Sequence, residues 1–169
     1  MVIVLMGVSG AGKTTIGTQL AKALGWDFAD ADDFHPEANV EKMERGEPLS
    51  DTDRWPWLRA IRAFIQERLA NGDPAVVTCS ALKATYRDVV LPASDDARLV
   101  YLRGSYELIR RRLERRTDHF FEAELLESQF EALEEPSGDE GLIVDVDATP
   151  EAIVRTICWE LPGIAASSE

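Results

Sequence analysis

The sequence predicts an α/β fold in which helices cover both faces of a parallel β-sheet, and two observations carry this prediction. Short apolar runs of strand length alternate along the chain with longer segments of helical periodicity. The first run is followed at once by the pattern G-x-x-x-x-G-K-T at residues 7–14 and then by a helical segment. Such alternation requires right-handed crossovers between parallel strands. Ligands of these sheets bind beyond the carboxyl ends of the strands.

The elements follow in order from the apolar pattern. The strand candidates are short and rich in β-branched or aromatic residues, as strands covered on both faces are. Asp53 is expected to cap the third helix, Asn71-Gly72 to end it, and Thr149-Pro150 to begin the last helix. The predicted strands are 2–6, 27–29, 75–79, 99–103 and 142–146; the predicted helices are 13–24, 37–45, 53–70, 82–91, 105–116, 121–134 and 149–160.

Length, composition and charge indicate a single globular domain that does not bind nucleic acid or membranes. A chain of 169 residues that is 45% hydrophobic is expected to form one domain over residues 1–169. The net charge of −13 argues against nucleic acid or an anionic membrane surface as a partner. No run reaches transmembrane length, and the two cysteines, Cys79 and Cys158, suggest no disulfide framework. A cytoplasmic location is therefore expected.

The glycine-rich pattern is that of a phosphate-binding loop, or P-loop. Its glycines allow a tight turn whose N–H groups face a polyphosphate, while Lys13 reaches the phosphates and the Thr14 hydroxyl binds Mg²⁺. A chance glycine-rich turn is the alternative, but the strand before it and the helical pattern after it favour nucleotide binding. The residues expected to bind ATP here are Gly7, Val8, Ser9, Gly10, Ala11, Gly12, Lys13, Thr14 and Thr15.

Two carboxylates stand at the end of the second predicted strand. Strand alternation would put Asp30 and Asp32 on the same side. One is expected to assist Mg²⁺, directly or through water, and the other to accept the proton of an attacking hydroxyl, as Lys13 stabilises the phosphoryl group. Asp32 is favoured as the base and Asp30 as the metal-assisting group, with the reverse left open. A solvated acidic turn is the alternative interpretation.

Basic residues are candidates for holding anions. Lys83 and Arg87 are four residues apart in a predicted helix, so they are expected on one face, facing an anionic substrate. Arg54 offers a planar fork for a carboxylate. Arg112 and Arg116, also four apart, are expected to contact adenine and phosphates. For Lys83 and Arg87 the alternative is an ordinary solvated helix face.

An acidic segment follows the arginine-rich helix. Residues 117–140 contain nine acidic residues, no lysine or arginine, and a spaced apolar stripe. We predict that residues 117–136 form a helical lid that closes over the phosphates and excludes water. The alternative is that the stripe is simply core. His119, at the hinge, is a candidate substrate contact.

These motifs together resemble the gluconate kinase family from Gly7 to Pro136. The shared motifs are G-V-S-G-A-G-K-T, D-x-D-x-x-H-P, N-V-E-K-M-x-x-G-x-P-L-x-D-x-D-R-x-P-W-L, C-S-A-L-K-x-x-Y-R-D and H-F-F-x-x-x-L-x-x-S-Q-F-x-x-L-E-x-P. The long middle motif is the specific part. The resemblance implies a P-loop fold of three layers like that of shikimate kinase, with sheet order 2-3-1-4-5.

The resemblance also implies an activity, namely transfer of the ATP γ-phosphate to the 6-hydroxyl of D-gluconate with Mg²⁺, in a homodimer. It implies that gluconate is surrounded by Asp32, His35, Arg54, Lys83, Arg87 and His119. The rival interpretations are a shikimate-like or other small-metabolite kinase and a non-catalytic nucleotide switch. The middle motif speaks against the first, and the lack of an N-K-x-D segment speaks against a GTPase switch.

Overall fold

The computed structural model describes residues 1–116, 123–161 and 163–164. Within these residues, five parallel strands form one sheet in the order β2-β3-β1-β4-β5, which confirms the predicted α/β class and strand order. His119 and the first part of the predicted lid lie outside the described residues. No helix in the described part of the chain has both the length and the apolar composition needed to cross a bilayer.

The observed elements lie within a few residues of the predicted ones. The strands are β1 (Val2–Met6), β2 (Asp27–Asp30), β3 (Ala75–Thr78), β4 (Ala97–Arg103) and β5 (Leu142–Asp145). The helices are α1 (Lys13–Leu24), α2 (Glu37–Glu44), α3 (Asp51–Asn71), α4 (Ala84–Val90), α5 (Tyr106–Glu114), α6 (Ala123–Ala132) and α7 (Pro150–Glu160), with a 3₁₀ turn at Ala31–Phe34.

The central strand β1 is buried on both faces. Its alternate side chains enter two different apolar cores, one containing Ile3 and Leu5 and the other containing Val2, Val4 and Met6. It pairs in parallel with β3 on one side and β4 on the other. The carboxyl ends of all three strands therefore meet at one edge of the sheet, where the P-loop begins.

Local chemistry fixes the helix ends. Gly72 ends α3 in the left-handed conformation, as predicted, and the Thr149 side chain caps α7 before Pro150. The prediction that Asp53 caps α3 is wrong. Ser50 is the N-cap, and Asp53 completes a capping box from three residues on. Its carboxylate also binds Lys42, and these hydrogen bonds lower the pKa of Asp53 to about 2.

A close helix–sheet approach occurs at Gly17 in α1. A Cβ there would lie 2.8 Å from Phe28 Cε2 and 2.9 Å from Thr78 Cγ2, so this position has no room for a larger side chain.

We expect Gly17→Ala to destabilise the fold by about 1–3 kcal/mol through overpacking, although alanine favours an isolated helix by ~1 kcal/mol. Urea unfolding measures this cost. Phe28→Leu, which shortens the opposing side chain, should recover part of it in the double variant; a Gly17→Ala protein as stable as wild type would contradict the argument.

Candidate active site

The P-loop connects β1 to α1 and leaves the helix N-terminus open to an anion. Gly10 and Gly12 have φ of 84° and 91°, a region that favours glycine. A Cβ on Gly10 would also lie 2.9 Å from the Leu113 side chain. Gly12 is the N-cap and has no side chain to occupy the first N–H groups of α1. These donors and the helix dipole therefore face the space in front of the loop.

Lys13 is held across this loop by its own backbone. Its Nζ donates to the carbonyl oxygens of Gly7 at 2.9 Å and Val8 at 3.1 Å. Burial lowers the pKa of Lys13, while the negative charges of Asp32 and Asp30 act in the opposite direction. The ammonium is therefore placed where phosphate oxygens can replace or supplement the two carbonyl contacts.

A cavity of about 300 Å³ lies in front of the P-loop. We call it the phosphate cavity. It brings together most of the residues predicted to handle the nucleotide and adds four that were not predicted. The predicted lining residues are Ser9, Gly10, Gly12, Lys13, Thr14, Thr15, Asp30, Asp32 and Arg116; the additional ones are Thr78, Cys79, Ser80 and Gln129.

Both carboxylates line the phosphate cavity, but they do not lie on the same strand as predicted. Asp30 is the last residue of β2, but Asp32 lies in the 3₁₀ turn, not on the strand. Asp30 Oδ1 accepts from the Asp32 backbone N–H at 2.9 Å and so caps that turn. Partial burial, and then the nearby Asp30 charge, raise the pKa of Asp32. A raised pKa increases the affinity of the Asp32 carboxylate for a proton.

The oxygen donors of this cavity suit Mg²⁺. Thr14, Asp30 and Asp32 all line it, and Mg²⁺ in phosphoryl-transfer sites takes one or two protein ligands together with phosphates and water. Among the described residues, no group of three His, Cys, Asp or Glu side chains is arranged to hold a metal alone. The residues therefore fit a metal that arrives with a nucleotide.

A second cavity of about 260 Å³ adjoins the first. We call it the acceptor cavity. Ser80 and Gln129 line both cavities, so the two spaces share a wall at these residues. The lining residues of the acceptor cavity are Arg54, Trp57, Ser80, Leu82, Lys83, Tyr86, Leu125, Ser128, Gln129 and Ala132.

Two cations flank Tyr86 in the acceptor cavity. Arg54 lies 5.8 Å and Lys83 Nζ 5.4 Å from the centre of the Tyr86 ring. Asp51 accepts a hydrogen bond from the Tyr86 hydroxyl and lies 3.5 Å from Arg54 and 3.7 Å from Lys83. The Tyr86 hydrogen bond and then the two cations lower the pKa of Asp51. Two cations against one carboxylate leave this cluster positive in a chain that is strongly negative overall.

His35 packs against Trp57, a residue that lines the acceptor cavity. Its ring stacks on Trp57, with 4.2 Å between centroids, and Trp57 Nε1 donates to the Ala31 carbonyl at 2.7 Å. Asn39 Nδ2 donates to the Asp53 carbonyl, which fixes the amide orientation, and it lies 3.3 Å from His35 Nδ1. His35 Nδ1 must therefore accept. Burial lowers the pKa of His35, which agrees with a neutral ring that carries its proton on Nε2.

The structure does not place Arg87 beside Lys83 on one helix face. Helix α4 begins at Ala84, and Lys83 is its N-cap in an extended conformation, so helical spacing does not relate the two residues. Arg87 is only 3% exposed and lies outside the set of described residues that line either cavity. The expectation of a shared basic face for an anionic substrate is thus corrected.

Arg87 instead ties the wall of the acceptor cavity to the segment after α6. One of its terminal nitrogens donates to the carbonyls of Ala81, Leu82 and Glu134 at 3.2, 3.2 and 2.9 Å. Ala81 has a φ of 44°, which is unusual for a residue with a side chain. Arg87 therefore stabilises a strained turn of the site.

Arg116 and Arg112 differ in their position relative to the phosphate cavity. Arg116 lines it, whereas Arg112 donates to the carbonyl of Val146, just after β5.

Cys79 is buried, and desolvation raises its pKa to about 12, so it is an inert thiol and not a nucleophile. Helix α6 buries Leu126 and packs Phe130 edge-on against Tyr106, 5.4 Å between centroids.

Sequence reasoning missed several lining residues, although most stood inside the quoted motifs. Ser80 and Tyr86 belong to C-S-A-L-K-x-x-Y-R-D, and Ser128 and Gln129 to the S-Q-F portion of the last motif. Trp57, in the middle motif, both packs against His35 and lines the acceptor cavity. Motif membership was the available signal, because none of these residues is charged.

Comparison with known proteins places the chain in a family. The AAA domain family matches residues 2–136. A protein described as probable gluconokinase from Xenopus tropicalis is 46% identical, covering 95% of this chain and 93% of that protein. The chain belongs to the gluconokinase family.

Solved structures agree with this membership. A gluconokinase from Sinorhizobium meliloti 1021 is 45% identical and superposes with a TM-score of 0.78, covering 90% of this chain and 86% of that one. A shikimate kinase from Aquifex aeolicus, only 18% identical, has a TM-score of 0.61 over 99% of this chain and all of that one (100%). The latter likeness shows the shared fold alone, as the gluconokinase-family motifs implied.

We expect Arg87→Met to destabilise the fold by about 2–4 kcal/mol, since two buried carbonyls and one partly buried carbonyl would lose a charged donor. Thermal and urea unfolding measure this. Arg110→Met, which removes an arginine from the exposed pair with Glu114, is the matched control and should leave unfolding unchanged. Equal stability of the two variants would contradict the structural role of Arg87.

Proposed function

We propose that this protein transfers the γ-phosphoryl group of ATP to the 6-hydroxyl of D-gluconate. One observation carries the proposal. A positive, hydroxyl-lined acceptor cavity shares a wall, Ser80 and Gln129, with the phosphate cavity of the P-loop. An anionic sugar acid held by Arg54 and Lys83 can then present a hydroxyl to a phosphate in the neighbouring cavity. Membership of the gluconokinase family supports this assignment.

The chemistry is mainly positioning and charge stabilisation. P-loop N–H groups and Lys13 hold the phosphates, and their positive charge stabilises the oxygens on which negative charge develops. Thr14 and Asp30 would hold Mg²⁺, which neutralises charge between the transferring and leaving phosphates. Arg116 lines the same cavity and adds a further cation.

Asp32 accepts the proton of the attacking hydroxyl in this proposal. Its raised pKa, caused first by burial, gives it more affinity for a proton than an ordinary aspartate has. Arg54 and Lys83 orient the carboxylate of gluconate, with His35 acting through the Trp57 wall. Arg87 supports the cavity and does not itself contact the sugar acid. A contact from His119, an adenine contact from Arg112, a lid over residues 117–136, a single domain over residues 1–169, a homodimer and a cytoplasmic location stay predictions.

The rival kinases differ in their acceptor. A shikimate-like enzyme shares the fold but would phosphorylate a ring hydroxyl, and a switch would hydrolyse nucleotide without phosphorylating any sugar acid. We would incubate the protein with ATP, Mg²⁺ and gluconate, its epimers or shikimate, and identify products by mass spectrometry. Phosphogluconate formation, abolished in Lys13→Ala, is the expected result. ADP formation that is independent of every acceptor would overturn the proposal.

The acceptor cavity can be tested separately through Arg54. Arg54→Lys keeps the charge but loses the planar fork, so the KM for gluconate should rise about tenfold while that for ATP is unchanged. Arg59→Lys, at an exposed position of the same helix, is the matched control and should behave as wild type. An unchanged gluconate KM in Arg54→Lys would place the sugar acid elsewhere.

The pH dependence of kcat/KM reports the base. Asp32 acts only when deprotonated, so activity should rise with pH through a pKa above that of an ordinary aspartate. Asp30→Asn removes a neighbouring negative charge, lowers the pKa of Asp32 and should shift this acid limb to lower pH, even if the maximal rate also falls. A limb that stays in place or moves upward would show that Asp32 is not the group observed.

A further inference from the structure

Gln129 makes a contact with the P-loop that the proposed mechanism does not use. Its side-chain Oε1 accepts a hydrogen bond from the backbone N–H of Ser9 at 2.6 Å. Gln129 lies on α6, 120 residues further along the chain, and the contact joins α6 to the phosphate cavity. Since Ser9 N–H only donates, the contact also fixes which end of the amide faces the loop.

The Gln129 oxygen occupies a donor that a nucleotide needs. Backbone N–H groups of a P-loop bind phosphate oxygens, and a carboxamide oxygen offers the same acceptor geometry with only partial charge. An ionised phosphate oxygen makes a hydrogen bond about twice as strong as a neutral one. A bound nucleotide would therefore displace Gln129 from Ser9.

A displaced Gln129 remains at the acceptor cavity. It lines that cavity together with Ser128, Arg54 and Lys83. Its amide has one carbonyl acceptor and two N–H donors, which match the hydroxyl groups of a sugar acid that both donate and accept. Arg54 and Lys83 have only donors, so Gln129 supplies an acceptor that the cations lack.

The segment just after α6 is anchored to the wall of the acceptor cavity. Glu134 accepts from the Ala84 backbone N–H at 2.7 Å, and its own N–H donates to the Leu82 carbonyl at 2.8 Å. Leu82 belongs to the acceptor wall. An exchange of Gln129 between the two cavities would therefore need a local movement and not the release of the segment after α6.

We propose that Gln129 couples the two cavities: it occupies the P-loop donor Ser9 N–H in the free protein, and nucleotide phosphates release it to bind acceptor hydroxyls. Nucleotide and sugar acid then bind with positive cooperativity, because each favours the state in which the Gln129–Ser9 contact is broken. This inference rests on the proposed function for its second ligand but not for its first.

Calorimetry on the wild type and three variants tests the coupling. The ligands are Mg²⁺ with the non-hydrolysable ATP analogue adenylyl imidodiphosphate, and gluconate, each titrated alone and in the presence of the other. In wild type the analogue should lower the gluconate Kd about 3- to 10-fold, the range that one neutral hydrogen bond supplies.

Gln129→Met keeps the length and helix propensity of the side chain but removes both polar atoms. Its analogue Kd should be lower than that of wild type, by up to about 10-fold, and its gluconate Kd should no longer respond to the analogue. Gln129→Glu keeps the acceptor for Ser9 but adds a negative charge, so its analogue Kd should rise at least about tenfold. Gln66→Met, at an exposed site on α3, controls for the substitution and should match wild type.

Two results would overturn the inference. One is weaker analogue binding in Gln129→Met, which would make Gln129 a nucleotide ligand. The other is an undiminished coupling ratio in that variant. If wild type binds the analogue but not gluconate, the proposed substrate fails, while the comparison of analogue Kd values between wild type and Gln129→Met still decides whether Gln129 competes for the loop.

Discussion

The P-loop at the carboxyl end of β1 is the constraint on which the rest of the site depends. Because β1 is central in the sheet order 2-3-1-4-5, strands β3 and β4 end on either side of the loop. β3 delivers Ser80 to the shared wall, β2 delivers Asp30 and the turn with Asp32, and the helix after β4 leads to Arg116. The topology therefore gathers residues that are far apart in sequence around one phosphate-binding turn.

Electrostatics divide the site into two spaces with different demands. Lys13 and two carboxylates, those of Asp30 and Asp32, line the phosphate cavity. This arrangement suits a polyphosphate that brings its own metal. In the acceptor cavity, Arg54 and Lys83 share one carboxylate, Asp51, so a locally positive surface persists in a chain of net charge −13. A small anion is thereby favoured at this place despite the overall repulsion.

Most of the fold could be predicted because apolar periodicity and the glycine-rich motif are local signals. The failures come from backbone details that the sequence does not display. Lys83 and Arg87 have helical spacing, but the helix begins one residue after Lys83, and Arg87 is buried and donates to backbone carbonyls. Aspartate is a residue type that often caps helices, but at the start of α3 the N-cap is Ser50 and not Asp53. Gln129 is a polar residue of helix α6, and only the tertiary structure brings it to Ser9.

In the proposed mechanism, phosphate and acceptor occupy adjoining cavities, so the phosphoryl group passes directly from one to the other. The thiol lining the phosphate cavity, Cys79, is buried and its pKa is raised to about 12, so it is not a nucleophile; the proposed nucleophile is the acceptor hydroxyl. The most direct measurement uses ATP made chiral at the γ-phosphorus with oxygen isotopes and determines the configuration of the phosphorylated product. Direct transfer predicts inversion at phosphorus; retention would require a phosphorylated enzyme intermediate and would contradict this account.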